Sequence, residues 1–595
     1  MKKKLLLIIA ILNFVSTNAQ TIAGGLLDIN NIKAAINADG GLFWDNTNSI
    51  FEAPNGSGKS TIYASGLWMG GYDSIGQLHL AGQTSRQTGT DFFSGPIDTT
   101  GIYGTNYDST WNRVWKINRC AIDTYENWLL QGNIGSNPLL SGPSADTAAM
   151  EVIINWPAFN MFGQPLAPFV DVDFNGFYDP SIGDVPLIKG DQAVFFVYND
   201  ARGAHTQTGG LPLGVEIQGM AYAFSCSNDT ALFNTIFTNY KIINKSSVRI
   251  DSAFIGNWTD TDIGWYQDDY IACDVERGAY YGYNGTASDG SGQSAAYGPN
   301  PPAQAVLFLN GGWADPNGID DPLGTLPNAT NCGDGITDNE RLGMSRFMCF
   351  NNNTNPVNGN PIVGDDAYQF LSGAWRNGTP WTYGGDGTTG SIACDYMYPG
   401  VSDSSGFGVG GNLYNPILMP VWDEINVPGD RRGLGSCGPY TLKPGATQEI
   451  DFAYVYGRAT SGGNLASVDV MKNHIDSIRQ KFASAPFNVI EGCGCNGTTG
   501  IKDIAVNNTF TIYPNPVSVK ITIEFETATS FSSIEIKNVL GQTVKTIDSR
   551  AFLNGKNNTS TKISMTIDVS EFSKGLYFVQ LQGETKILSK IFVKQ

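Results

Sequence analysis

A chain of 595 residues with 41% apolar content can bury a sizeable core and divide into roughly two or three domains. Its 71 glycines and 28 prolines, with only 15% charged residues, favour turns and short strands over helices. A net charge of −19 excludes nucleic acid and anionic lipid as partners and leaves cation binding or plain solubility.

At the N-terminus, Lys2, Lys3 and Lys4 precede an apolar stretch from Leu5 to Val15, and Thr17-Asn18-Ala19 supplies small residues before Gln20. This is the pattern of a secretory signal peptide over residues 1–19, cut near Ala19-Gln20. No later run is long enough to read as a transmembrane segment. The nine cysteines are scattered with no CxxC pair, which argues against zinc-ribbon and thioredoxin-type sites. In an exported protein some should pair, and an odd number leaves at least one free or intermolecular.

Residues 20–490 read as a β-rich exported body with a subdivision near 185–215. Strand-like runs occur at Val152–Ile154, Ala193–Val197, Met220–Phe224, Ile236–Ile243, Ala305–Leu309 and Gln448–Tyr456. Long Gly-, Asn- and Asp-rich loops at 284–301 and 350–366 separate some of them. Near the start, Ala53-Pro-Asn-Gly-Ser-Gly-Lys-Ser-Thr61 satisfies a relaxed phosphate-loop pattern. A working phosphate loop follows a buried strand and opens a helix. Here a turn-like segment precedes, and Ile62–Gly71 reads as a strand, so the match predicts a hairpin turn.

Asp171-Val-Asp173-Phe-Asn175-Gly176-Phe-Tyr-Asp179 places oxygen ligands at alternate positions around a glycine turn, the arrangement calcium uses. Position twelve is Ile182 rather than Glu, so the run resembles the calcium loops of type 3 thrombospondin repeats or dockerins more than an EF-hand. A second acidic cluster, Asp260, Asp262, Asp268 and Asp269, would repel itself unless solvated or bridged by a cation. A weaker third runs from Asp315 to Asp321. Calcium is the cofactor these loops predict; acidic turns with no ion are the plainer alternative.

Catalytic constellations are sparse. His79, His205 and His474 are the only histidines, and neither HExxH nor GxSxG occurs. A glycosidase carboxylate pair remains compatible with 55 acidic residues. Leu465, Val468, Met471, Ile475, Ile478 and Phe482 recur at helical spacing and predict one closing helix on the sandwich edge, with His474 structural.

Residues 491–504, rich in Gly and Cys, read as a linker. Beyond them, residues 505–595 carry eleven Lys or Arg (counted from 501) against eight Asp or Glu, so the acidity lies in the body. Short alternating runs bounded by turn residues predict a seven-strand, Ig-like β-sandwich. Its expected core includes Leu576, Phe578, Ile587 and Phe592, with Tyr577 on the opposite face.

This tail contains Tyr513-Pro514-Asn515-Pro516, Val539-Leu-Gly541-Gln, Gly575-Leu-Tyr577-Phe-Val and a closing Lys586-Ile-Leu-Ser-Lys-Ile-Phe-Val-Lys594. It resembles the C-terminal sorting domain (type A) of type IX secretion substrates, a system of the Bacteroidota. The resemblance implies delivery to the outer surface of a Gram-negative cell, or release, with the secretion machinery as partner. The body, with Leu67-Trp-Met-Gly-Gly71, Gln77-Leu-His79, Lys189-Gly-Asp-Gln192 and Asp268-Asp-Tyr270, resembles uncharacterised regions that precede such tails.

The fold class is thus all-β: a sandwich body with long loops and one closing helix, plus the sorting sandwich. Two functions fit: an adhesin-like or structural surface protein with calcium-stabilised loops, or a secreted carbohydrate-active enzyme or glycan-binding protein. The surface ligand is expected to be a glycan or a matrix protein.

Overall fold

The computed structural model describes residues 22–484, 493, 510–514, 517–526, 533–538, 543–548, 562–582 and 587–594, apart from 46, 99, 102, 137, 143–145, 411–419 and 425–426. The signal segment lies outside the described residues. Two compact units emerge, a body ending at Asn496 and a tail from Gly497; the division leaves the five-residue loop tip Asp173–Phe177 out of the body.

In the body, β1 (Ala64–Tyr72), β2 (Leu78–Gly82), β3 (Gln192–Asn199), β4 (Val215–Ala223), β5 (Thr235–Asn244), β6 (Ile250–Asp260), β7 (Asp269–Asp274), β8 (Ala279–Asn284), β9 (Ala303–Asn310) and β10 (Arg346–Asn351) precede helix α1 (Gly364–Ser372). Strands β11 (Arg431–Leu442) and β12 (Thr447–Gly457) and helix α2 (Gly463–Ser484) complete it. One antiparallel sheet runs β7-β8-β9-β12-β5-β4-β3 and adds short strands at 93–94 and 115–118; the other runs β10-β11-β6-β1-β2. Strands β3 and β4 pair in full register from Gln192–Ala223 to Asn199–Glu216.

The inner faces of the two sheets meet as a sandwich. Gly433 and Gly435 on β11 make room for Tyr280 of β8, where an added Cβ would lie 2.7–2.9 Å from its ring. Strands β3 and β4 are buried along their whole length, since their outer face is covered as well. That is why their sequences run apolar where a solvated face would alternate.

Helix α2 buries Val468, Met471, Ile475, Ile478 and Phe482, as the helical spacing predicts, while Leu465 in its first turn is exposed. It packs over β12 and β9 on the face of the larger sheet, not on the sandwich edge. His474 Nδ1 meets the Tyr456 carbonyl at 2.8 Å. Further helices break the single-helix expectation, at Arg119–Trp128, Thr147–Ile154 and α1. Val152–Ile154, expected as strand, lies in one of them. The Asp146 side chain accepts from Ala149 N–H at 3.1 Å and caps that helix, so local capping prevails over β-branched propensity.

Cys226, just after β4, is disulfide-bonded to Cys493, 267 positions later. Cys120 is disulfide-bonded too. Cys273, Cys332, Cys349, Cys394 and Cys437 are free and buried.

The tail forms two antiparallel sheets. Strands β13 (Phe510–Tyr513), β14 (Lys520–Glu526) and β17 (Lys562–Asp568) make one; β16 (Thr543–Asp548), β15 (Ser533–Asn538), β18 (Gly575–Gln582) and β19 (Ile587–Lys594) make the other, in those orders. Ile521, Ile523, Ile534, Ile536, Val579 and Phe592 fill the core. The parity expected for β18 is reversed: Tyr577 is buried and stacks on Phe592 with ring centroids 5.5 Å apart, whereas Phe578 is half-buried. Both parities of this strand are apolar, so alternation could not choose. The Tyr577 hydroxyl settles inward by donating to Ser573 O at 2.9 Å.

Candidate functional site

The phosphate-loop match closes a β-turn. Gly56 and Gly58 take φ of 87° and 67°, the Gly58 N–H donates to Glu52 Oε1, and the strand β1 follows where a phosphate site needs a helix. Lys59 Nζ donates to the Ala296 carbonyl and lies 5.7 Å from the Tyr297 ring centroid, so its charge is engaged within the fold.

In the first acidic loop, ligand atoms of Asp171, Asp173 and Asp184 lie within 4.8 Å of one another. Asp184 was not among the residues the calcium pattern selected. It is fully buried and accepts from Val172 N–H at 2.9 Å and Asp179 N–H at 2.8 Å. Asn175 turns to Asp173, donating Nδ2–H to its Oδ2 at 2.9 Å. The Asp179 carboxylate points elsewhere and accepts from Ser181 N–H and Oγ–H, capping the short helix at Pro180–Ile182. The third loop uses its own backbone as counter-charge: Asp320 accepts from Gly333 and Gly335 N–H, both at 2.7 Å.

The second cluster divides. Asp260 ends β6 and sits in register with Arg432 on β11. Its ligand atom lies within 4.8 Å of those of Asp262 and Asp430. Arg432 bridges two members, Nη2 donating to Asp260 Oδ2 at 3.0 Å and Nη1 to Asp430 Oδ1 at 2.7 Å. Asp268 and Asp269 instead shape the adjoining loop: Asp269 Oδ2 accepts from Ile263 N–H at 2.8 Å, and Asp268 Oδ2 from Gly290 N–H at 3.0 Å. Burial pushes the Asp260 carboxyl up to about 6 against the pull of Arg432. Asp262 is held well above the usual carboxylate range by burial and then by the charges of Asp260 and Asp430.

Beside this cluster, on the outer face of the smaller sheet, lies a cleft of about 260 Å³. The face is outer because Trp68 and Trp258 share strand parity with Gly256, which abuts Leu371 of α1. Their rings run parallel, with centroids 6.4 Å apart and planes 6° from parallel, and form the floor with Phe350. Trp68 Nε1–H donates to Gln83 O at 2.8 Å; Trp258 Nε1–H, also buried, has no hydrogen-bond partner. Arg86, Gln87, Gln207, Asn352, Asn360 and Arg432 contribute to the wall. Arg86 holds a left-handed φ of 51°, and its guanidinium carbon lies 4.9 Å from the Tyr63 ring centroid. Backbone strain of that kind collects at binding sites. No carboxylate and no histidine is among the described residues that line this cleft. A second, more open cavity of about 640 Å³, with Asn234, Asn300, Arg458 and His474 on its wall, also lacks carboxylates.

Sequence reasoning missed Asp430 and Arg432. Their signal was Gly429-Asp-Arg-Arg-Gly433, a dense charge run in a body otherwise poor in charge.

Of the sorting-motif residues, Tyr513 ends β13, its peptide bond to Pro514 is cis, Gly575 opens β18 and Tyr577 is buried. Asn515, Pro516, Gly541 and Lys586 lie outside the described residues. Residues 511–595 match the family model of the secretion system C-terminal sorting domain. The tail marks a type IX secretion substrate. The protein is therefore secreted or displayed at the cell surface. No helix among the described residues is long and apolar enough to cross a membrane.

No curated protein matches the chain. Among solved structures, a polysaccharide lyase aligns over 67% of this chain at 7% identity and a TM-score of 0.18. The alignment spans 39% of that lyase's length, and a likeness so low carries no argument about activity.

Proposed function

We propose that the exported body is an adhesin-like, non-catalytic surface protein that binds a saccharide in the cleft over Trp68 and Trp258. The lining of the cleft carries this reading. A pyranose has a rim of hydroxyls, which suits the amides, hydroxyls and guanidinium groups of the wall; Trp68 and Trp258 beneath are 2% and 3% exposed and serve as its rigid support. At about 260 Å³ the space suits one or two sugar residues, just below the usual range of small-molecule sites.

The hydrolase reading is weaker. It needs two carboxylates facing the bond to be cleaved, about 5–10 Å apart. The lining offers none, and the neighbouring Asp260 and Asp430 are tied to Arg432.

A panel of immobilised glycans and matrix proteins, probed with the full chain, tests the proposal. Glycan capture should fall at least tenfold in Arg86→Ala and Asn360→Ala. Capture of matrix proteins alone, capture unaltered in both variants, or new reducing ends released from a bound glycan would each overturn it.

A further inference from the structure

The acidic triad at the end of β6 carries more than a cluster of charges. Asp260 is 2% exposed; Oδ2 accepts from Arg432 and Ser85, but Oδ1 has no hydrogen-bond partner. In the adjoining segment Thr261 Oγ1, Asp268 Oδ1 and Asp269 Oδ1 are also buried and unpartnered. Buried acceptors are almost always satisfied, because leaving one bare forfeits its hydration without return. The bare Asp260 Oδ1, beside two further carboxylates, is a lasting penalty for the empty site.

We propose that Asp260, Asp262 and Asp430 hold a divalent cation, calcium by the chemistry of the set. The donors are hard oxygens, with no histidine or cysteine to favour zinc or copper. Oxygens on one calcium ion sit about 2.3–2.6 Å from it, so no two can be more than about 5 Å apart. The triad's ligand atoms meet that limit, lying within 4.8 Å of one another. Asp260 would offer its bare Oδ1. Asp262 and Asp430 stand half-buried at the mouth, where water can complete the shell. Arg432 neutralises one of three charges, leaving two for a divalent ion. The other charged groups facing the triad are Arg86, which opposes a cation at Asp262, and Asp269, which favours one. The inference goes beyond the saccharide proposal and stands without it, because its probe is the metal alone.

The test is calorimetric titration of the chelator-treated full chain with calcium chloride at pH 7.5, alongside Asp262→Asn and Asp430→Asn. The other acidic loops bind or fail to bind equally in all three proteins. One equivalent of calcium should therefore disappear in each variant, with part of the calcium-induced rise in melting temperature. Without calcium, Asp262→Asn should melt at or above wild type, since a repelling carboxylate is gone. Should that variant not fold, Asp430→Asn, at the solvent-facing rim, gives the same readout. Unchanged stoichiometry in the folded variants overturns the proposal. So does full displacement of the lost equivalent by equimolar magnesium, or a wild-type melting temperature that rises with acid and ignores calcium.

Discussion

Asn257 Nδ2 on β6 donates to the Tyr454 hydroxyl on β12 at 2.7 Å, joining the two sheets inside the sandwich. The Tyr280 hydroxyl on β8 donates to Asn257 Oδ1 at 2.8 Å, and Ser65 Oγ lies 3.1 Å from the Tyr454 oxygen. Burial pushes the Tyr454 phenol up to about 12, so it stays neutral at physiological pH. Tyr454→Phe leaves the Asn257 amide one partner short in a dry interior. The expected loss is about 1–3 kcal/mol, seen as a lower urea midpoint with an unchanged slope.

Burial lowers the affinity of His474 for its second proton, and the bond to the Tyr456 carbonyl only partly offsets this. Its folded pKa lies below the unfolded value near 6.5, so the unfolded chain protonates first. The stability from a neutral His474 is present above that pH and is lost as pH falls below it. His474→Gln should therefore show a smaller fall in urea midpoint between pH 7.5 and 5.5 than wild type. Equal falls would remove His474 from the acid response.

Titration of wild type and of Lys59→Ala with ATP and magnesium should give no saturable heat in either protein, because a strand and not a helix follows the turn. The effect of the substitution should be confined to a small drop in melting temperature from the lost contacts to Ala296 and Tyr297.

Deleting residues 505–595 should give a body with wild-type melting behaviour that is no longer delivered outside the cell. The tail has a core of its own, separate from that of the body. Cell fractionation with protease shaving measures delivery, and normal surface display of the truncated chain would break the link between tail and export.

Cys226→Ser should destabilise the body by about 2–5 kcal/mol under oxidising conditions, and far less once reductant is present in both proteins. Chemical denaturation with and without reductant makes the comparison.

The tail was legible almost strand by strand, because each run is short, alternating and bounded by turn residues. Among the described residues it was misread where Leu576-Tyr-Phe-Val579 is apolar on both faces and only a hydroxyl partner decides direction; the side chains of Leu576 and Ile587 lie outside the described residues. In the body, five of six expected strands appear. Val152–Ile154 became helix because the decisive residue, Asp146, lies outside the β-branched run. The acidic cluster could be read only in part. Asp260 and Asp262 are local in sequence, but their companions Asp430 and Arg432 arrive through a strand pairing some 170 positions away, which no local pattern announces. The cleft was hidden for the same reason. Trp68 and Trp258 are ordinary strand residues until β1 and β6 lie side by side.

The bond between Cys226 and Cys493 also sets how the body would respond to being pulled. A pull between the tail and a point N-terminal to Cys226 would run from Cys493 straight to Cys226, just after β4, leaving the intervening stretch slack. That stretch, 267 positions long, would span roughly 900 Å if drawn out at about 3.4 Å per residue. It holds β5 to β12, α2 and most of the acidic sites. Under such a pull those elements would keep their fold while the disulfide carries the load.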